Sequence, residues 1–179
     1  GLSLLEGRVD FIELHGNRVY MGARPLFFYP EYELEAELEQ RYVPALLSEG
    51  VRTVAVLMPM EEIQRHYGRD LLYLYRGYGL EVLWYPIEDF HAPEDMDTFH
   101  EFIGGYLDAA LRAGHVYVHC SAGIGRTGLT AAALLIYNGE SVEGAVRQVR
   151  AARPGTIETS GQLYFLQEYR EFLAGLGST

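Results

Sequence analysis

The sequence predicts an α/β protein, with a central, mostly parallel sheet flanked by helices on both faces. Three observations predict it. Val51–Met58, Leu80–Ile87 and His115–His119 are short apolar, β-branched runs of the kind found in strands buried on both faces. Longer segments with apolar residues at helical spacing lie between and after them. Alternation of strand and helix is the pattern of crossover connections, which keep successive strands parallel.

The elements follow in order. Val9–Leu14 and Arg18–Met21 flank His15-Gly16-Asn17 and read as a tight hairpin. Glu31–Ser48 places Leu34, Leu38, Tyr42, Ala45 and Leu46 at helical spacing, with Pro44 expected to kink or divide the helix. Glu61–Tyr67 is expected to make one or two helical turns. Asp95–Ala113 reads as a helix stopped by Gly114, and Thr127–Asn138 as a very apolar helix stopped by Gly139. Ser141 caps a helix running to Ala152, ahead of Arg153-Pro154-Gly155. Ser160–Leu173 is a last amphipathic helix. In sheets of this kind ligands bind beyond the carboxyl ends of the strands, so the end of His115–His119 is the first place to look.

Composition narrows the chemistry. The 179 residues amount to about one domain at roughly 150 residues each, so 1–179 is expected to form a single domain. The net charge of −11 disfavours a broad nucleic-acid-binding face. All 14 basic residues are Arg, which excludes Schiff-base chemistry and a lysine-containing P-loop. The single Cys excludes an internal disulfide and a multi-cysteine zinc site. No apolar run approaches the roughly 20 residues that cross a bilayer. Residues 1–10 lack the basic cluster and apolar core of a secretory leader. A cytoplasmic, membrane-free monomer is expected.

The strand His115–His119 runs directly into His119-Cys120-Ser121-Ala122-Gly123-Ile124-Gly125-Arg126-Thr127-Gly128. Strand, glycine-rich turn and helix start together make an anion cradle. Gly123 and Gly125 let the backbone curl so that successive N–H groups point inward. The following helix adds unpaired N–H groups and the positive end of its dipole. The planar fork of Arg126 can hold two oxygens of a phosphate. Cys120 lies at the floor of this cradle, where the same field favours its thiolate. Such a site binds a phosphoryl group and attacks its phosphorus.

The segment from His119-Cys120 to Arg126-Thr127-Gly128 resembles the signature loop of cysteine-dependent protein-tyrosine and dual-specificity phosphatases. Pro86-Ile87-Glu88-Asp89-Phe90-His91-Ala92-Pro93 is similar to that family's general-acid loop. Arg150 to Thr159, continuing to Gln162, is similar to the segment after the signature loop in its small members, and Val19-Tyr20-Met21-Gly22 to its first strand. Together these cover most of the chain from about residue 15 to 173.

The resemblance implies roles. Cys120 forms a phosphocysteine. Arg126 and the amides of Ser121, Ala122, Gly123, Ile124 and Gly125 hold the phosphoryl oxygens. Asp89 protonates the departing oxygen and later acts as base on water. Thr127 donates its hydroxyl to the Cys120 sulfur. His119 orients the loop through backbone hydrogen bonds. Gln162 helps position the hydrolytic water, with Glu158 as its neighbour.

Asp89 competes for the acid's role with Glu88, Glu94, Asp95 and Asp97. It lies just past the strand ending near Ile87, and Phe90 and Pro93 bracket it and are expected to shield its carboxyl from water. Glu94, Asp95 and Asp97 fit a helix start instead. His15, His66, His91, His100 and His115 show no metal-ligand spacing, and neither metal nor cofactor is expected. His91, beside the acid loop, can tune Asp89 or simply face solvent. The aromatic run Arg24 to Tyr32 is either a wall for an aryl phosphate or a lid over the core.

The resemblance places lysines in the loop of many phosphoinositide-directed members, whereas positions 121, 122 and 124 here are Ser, Ala and Ile. The expected substrate is a phosphorylated protein or peptide carrying phosphotyrosine, with phosphoserine and phosphothreonine as an extension. Rival readings are a phosphate-binding module without turnover, a phosphatase of a non-protein ester, and a rhodanese-like sulfurtransferase. The last fits Arg126-Thr127-Gly128 and the acid loop poorly.

Overall fold

The computed structural model describes Leu2 and residues 7–177. Half of residues 1–10, on which the leader expectation rests, lie outside these. The chain opens with a hairpin, β1 (Asp10–Leu14) and β2 (Asn17–Gly22), paired antiparallel in the register Leu14↔Asn17. His15 and Gly16 form the two-residue turn with φ of 57° and 73°. Positive φ at both central positions is the geometry that suits the twist of the flanking strands.

The remaining strands are parallel. β3 (Val51–Val56), β4 (Glu81–Trp84) and β5 (His115–His119) join the hairpin in the order β1-β2-β5-β3-β4. β5 lies at the centre, and its residues alternate between two cores. Val116, Val118 and Cys120 face one core with Ala55 and Leu57, whereas Tyr117 faces the other with Val54, Val56 and Met58.

Helices cover both faces. On the side of Tyr117 lie α1 (Leu34–Glu37), α2 (Val43–Ser48), α3 (Met60–Tyr67) and α4 (Leu71–Gly77). On the other lie α5 (Met96–His100), α6 (Asp108–Ala113), α7 (Gly125–Tyr137), α8 (Val142–Ala152) and α9 (Ser160–Gly177). α7 is buried on every side from Gly125 to Ile136, which is why its sequence is apolar all round. Among the described residues no helix is long and apolar enough to cross a membrane.

Several boundaries differ from the sequence reading. The helix expected over Glu31–Ser48 begins at Leu34 and is wound as a π-helix over Leu38–Tyr42. This wider turn directly precedes Val43 and Pro44, whose missing amide cannot complete an ordinary turn. The helix expected over Asp95–Ala113 likewise contains a π-helical stretch, Glu101–Leu107, around Gly104 and Gly105. The strand expected over Leu80–Ile87 ends at Trp84 and has one neighbour only, so it is a partly exposed edge and not a strand buried on both faces. The helix expected from Thr127 begins at Gly125, and the last helix runs on to Gly177. Sequence reading missed α4, although Asp70 caps it by accepting from the amides of Leu72 (3.0 Å) and Tyr73 (3.1 Å).

Nothing crowds the position of a Cβ on Gly16, so Gly16→Ala tests the turn's backbone alone. We expect a loss of about 1 kcal/mol, the cost of a left-handed conformation for an L-residue, as a lower urea midpoint with an unchanged slope. A neutral result would mean that the hairpin relaxes out of this turn without penalty.

Candidate active site

The carboxyl end of β5 delivers Cys120, and α7 begins five residues later at Gly125. Between them every carbonyl is occupied from outside the loop. His119 Nδ1 donates to the Cys120 carbonyl (2.9 Å), and the Arg24 amide to that of Ser121 (2.8 Å). Arg153 donates from Nη2 to Ala122 O (3.2 Å) and from Nε to Gly123 O (2.7 Å). The amides of Ile157 (3.3 Å) and Gly128 (3.0 Å) share Ile124 O. By contrast, the N–H groups of Ser121, Ala122, Gly123 and Ile124 meet no acceptor among the described residues. A loop whose carbonyls are all held outward turns its amides inward, which is the arrangement of an anion-binding nest. Gly123 permits it with φ of 76°, and a Cβ there would overlap the Gly22 carbonyl of β2.

Cys120 is buried, and its Sγ accepts a hydrogen bond from Thr127 Oγ1 at 3.1 Å. Arg126 is 1% exposed, and Glu62 of α3 grips it through Nη1–Oε1 (3.0 Å) and Nη2–Oε2 (2.9 Å). Nη1 also donates to Ile87 O (2.9 Å), and Nη2 lies 3.2 Å from Asp89 Oδ1. Burial works against the guanidinium charge, but hydrogen bonds to Glu62 and the charges of Cys120, Glu62 and Asp89 outweigh it and raise its pKa. Its Nε is buried with no partner. One edge of the fork therefore serves structure. The other presents Nε, which has no hydrogen-bond partner among the described residues, beside Nη2, which Asp89 approaches.

The acid loop is tethered at both ends. The Ile87 amide donates to Leu57 O (2.9 Å), and Gln162 Nε2 donates to His91 O (3.1 Å). Asp89 stands between them with its side chain 43% exposed. Phe90 is 60% exposed, so of the two expected shields only Pro93 is buried. The outward ring has a local cause: Phe90 has φ of 64°, and its amide donates to Asp89 Oδ1 (3.0 Å). His91 bonds the Asp89 carbonyl through Nδ1 (2.7 Å) and not the carboxyl. Asp95 caps α5 through the Thr98 amide (3.0 Å), the helix-start role expected of it.

Gln162 is fully buried, and its Oε1 accepts from the amides of Glu158 (2.9 Å) and Thr159 (3.3 Å). Both Gln162 and Glu158 border Gly125: Glu158 Oε1 lies 2.5 Å, and Gln162 Nε2 3.1 Å, from the point where a Cβ on that glycine would stand. The structure thus gathers the expected residues in one place. The aromatic run does not form a lid, since Phe28, Tyr29 and Tyr32 are exposed. Among the described residues no cluster of His, Cys, Asp and Glu is arranged to hold a metal ion.

Sequence reading missed Glu62, Tyr75 and the role of Arg153. Glu62 is a carboxylate on the buried side of an amphipathic helix, and that position was a readable signal. Tyr75 lies 2.9 Å from His119 Nε2. Because the Cys120 carbonyl can only accept, neutral His119 carries its proton on Nδ1, and Tyr75 donates to Nε2. Burial lowers the pKa of His119 from the ordinary 6.5 to about 4, against the opposing hydrogen bond to Cys120 O. The ring is thereby kept neutral as a brace.

The parallel strand end, the nest and the buried cysteine–arginine pair define a tyrosine-phosphatase-like site. A family model described as "Tc-R-P: Polymorphic toxin system, DSP-PTPase phosphatase" matches residues 32–140. The chain belongs to this family of dual-specificity-type phosphatases. It is 31% identical over 138 residues to cyclin-dependent kinase inhibitor 3 of Rattus norvegicus, covering 75% of this chain and 65% of that protein's length. Among solved structures it is similar to Tk-PTP in the active form, with 30% identity and a TM-score of 0.64 over 78% of this chain and 88% of that one. The kinase-associated phosphatase carrying serine for its catalytic cysteine shares the fold, with a TM-score of 0.80 and 24% identity over 96% and 98% of the two chains.

Two predictions follow from the buried groups. Glu62→Gln leaves the Arg126 cation in a dry site without its carboxylate. Breaking a buried ion pair costs about 3–5 kcal/mol, so both urea stability and phosphate release should fall, and stability unchanged within error would remove Glu62 from this role. His119 is held neutral, so its contribution to stability is complete above about pH 6.5 and is lost as pH falls towards 4. Over that window it amounts to about 3 kcal/mol. Urea midpoints of His119→Asn, already lower at pH 7, should fall less steeply on acidification than those of the native protein. Parallel curves would contradict the assignment.

Proposed function

We propose that the protein is a phosphoprotein phosphatase that hydrolyses phosphotyrosine, extending to phosphoserine and phosphothreonine, through a phosphocysteine. One observation carries the reading. Unengaged donors converge around a buried cysteine: the amides of Ser121 to Ile124 and the Nε of Arg126. A buried donor without an acceptor, here Arg126 Nε, is rare in folded proteins and calls for a ligand, and together with the loop amides it makes a donor set that suits a tetrahedral oxyanion.

In this reading residues 1–179 act as one catalytic domain. The Cys120 thiolate attacks phosphorus, the P–O ester bond breaks, and Asp89 gives its proton to the departing oxygen. Water then attacks phosphorus, Asp89 takes a proton from it, and the P–S bond breaks. Thr127 Oγ1, 3.1 Å from Sγ, supports the thiolate that leaves. The fork edge of Arg126 holds two equatorial oxygens in both steps. Gln162 and Glu158 border the loop on the side of His91, where they can align the water of the second step. A module that only bound phosphate would need neither the thiol nor an acid beside the cradle.

The test is phosphate release from aryl phosphates of graded leaving-group acidity. Cys120→Ser should abolish turnover while phosphopeptide binding persists, and a tenth of native turnover would exclude Cys120 as nucleophile. Asp89→Asn should lower kcat by about 10²–10⁴-fold for poor leaving groups and much less for good ones. The native pH profile should be bell-shaped, because Cys120 must be ionised while Asp89 is protonated. The Asn variant should lose the alkaline limb alone. An equal loss for every leaving group would transfer the acid's role away from Asp89.

A further inference from the structure

We propose that Arg24 is a specificity-determining contact, which binds a second anionic group, a carboxylate or another phosphoryl, next to the phosphorylated residue of the substrate. The inference rests on the phosphatase reading of Cys120 and concerns what lies beside it.

Arg24 lies two residues past the end of β2 and is docked on the signature loop. Its amide donates to Ser121 O (2.8 Å) and its Nε to Ser121 Oγ (3.2 Å), so the guanidinium sits one residue from the nucleophile. Nη1 reaches two further oxygens, Pro25 O (3.4 Å) and Tyr67 Oη (3.5 Å), and Tyr67 Oη itself donates to Pro25 O (2.6 Å). The guanidinium carbon lies 5.4 Å from the ring centroid of Phe27 and 5.5 Å from that of Tyr67. All of these partners are neutral. Among the described residues no carboxylate pairs with Arg24, and its Nη2 makes no hydrogen bond. Arg126, by contrast, is neutralised by Glu62 and approached by Asp89.

A half-buried cation held in one orientation by neutral oxygens and two aromatic rings has already lost most of its side-chain freedom, so binding through it costs little further ordering. Its charge is felt at His66 of α3. The pKa of His66 is lowered by partial burial first and by Arg24 next. The chain carries a net charge of −11, which opposes a highly charged substrate as a whole. A single extra negative group placed at Arg24 is the charge this mouth accommodates.

The experiment compares three phosphotyrosine peptides, flanked by Gln, by Glu or by phosphoserine, with phenyl phosphate as the reference that lacks a second group. Native protein should favour either anionic flank over Gln by about ten- to a hundredfold in kcat/KM, the range for one hydrogen bond to a charged group. The flank that gains more identifies the source of the anion. In Arg24→Gln the ratio should collapse to near one, and Arg24→Lys should keep part of it. The preference should also shrink as salt rises. Equal rates for all three peptides in the native protein would overturn the proposal, as would a ratio that survives in Arg24→Gln. A loss in Arg24→Gln that is equal for phenyl phosphate and every peptide would assign Arg24 to support of Ser121 and overturn it too. Binding of the same fluorescent peptides to Cys120→Ser reads the preference without turnover. If the native protein releases no phosphate from any substrate, the phosphatase reading fails, and the binding ratio still decides for or against Arg24.

Discussion

The site depends on a single constraint: the carbonyls of Cys120 to Ile124 are all held from outside the loop. A peptide chain left to itself points its carbonyls and amides both ways. Here His119, Arg24, Arg153, Ile157 and Gly128 take the carbonyls, so the amides have no choice but to face the cradle. The groups that do this come from the end of β2, from β5, from the start of α7 and from the segment after α8. Arg153 is the widest of these ties. It also donates to Arg8 O (2.7 Å) and pairs with Asp10 Oδ2 (3.0 Å), and so joins the loop to the hairpin at the sheet's far edge. The nest is thus a property of the whole fold and not of its ten-residue motif.

The same division of labour governs Arg126. A buried arginine cannot both anchor itself and bind substrate through the same edge. Glu62 and Ile87 O take one edge, which fixes the plane of the guanidinium, and the remaining edge inherits that plane. Because Ile87 opens the acid loop, the contact that orients Arg126 also sets where Asp89 stands. Position of the Asp89 carboxyl and orientation of the Arg126 fork are therefore coupled through one carbonyl. A shift of the loop that moved Asp89 would reach Arg126 by way of Ile87 O.

What was legible in the sequence divides along this line. Residues that act through their own chemistry in a fixed local pattern could be read: Cys120, Arg126 and Thr127 lie within eight positions, and the strand–turn–helix context announces the cradle. The sheet was legible because Val51–Val56 and His115–His119 are buried on both faces and carry no polar alternation. The edge strand was over-extended because Tyr85, Pro86 and Ile87 stay apolar, and the amides of Tyr85 and Ile87 still bond the carbonyls of Val56 and Leu57, after the regular strand ends at Trp84. The π-helical stretches escaped because a wider turn changes the phase of the side chains without changing their type. Glu62, Tyr75 and Arg153 escaped for a different reason. Each meets its partner across at least 30 positions of chain, and a carboxylate, a phenol or a guanidinium in isolation is far more often a surface group than a brace.

That asymmetry bears on how such a site can vary. Within the loop the chemistry admits few alternatives, because a nest, a thiol and a planar cation must coincide within one turn of chain. Around it the demands are weaker. A carbonyl needs only some donor, and a mouth only some shape and charge. Ser121, Ala122 and Ile124 contribute to the nest through their backbone, whose carbonyls are held by Arg24, Arg153, Ile157 and Gly128, so a change of their side chains leaves those ties in place. Arg24 stands at the boundary between these regimes. Its amide is part of the scaffold, donating to Ser121 O, and its side chain belongs to the mouth. A substitution there leaves the backbone bond available in any residue but proline, so the charge beside the cradle can change while the cradle stays. Support of the loop and charge at its mouth are in this way carried by different atoms of the same residue.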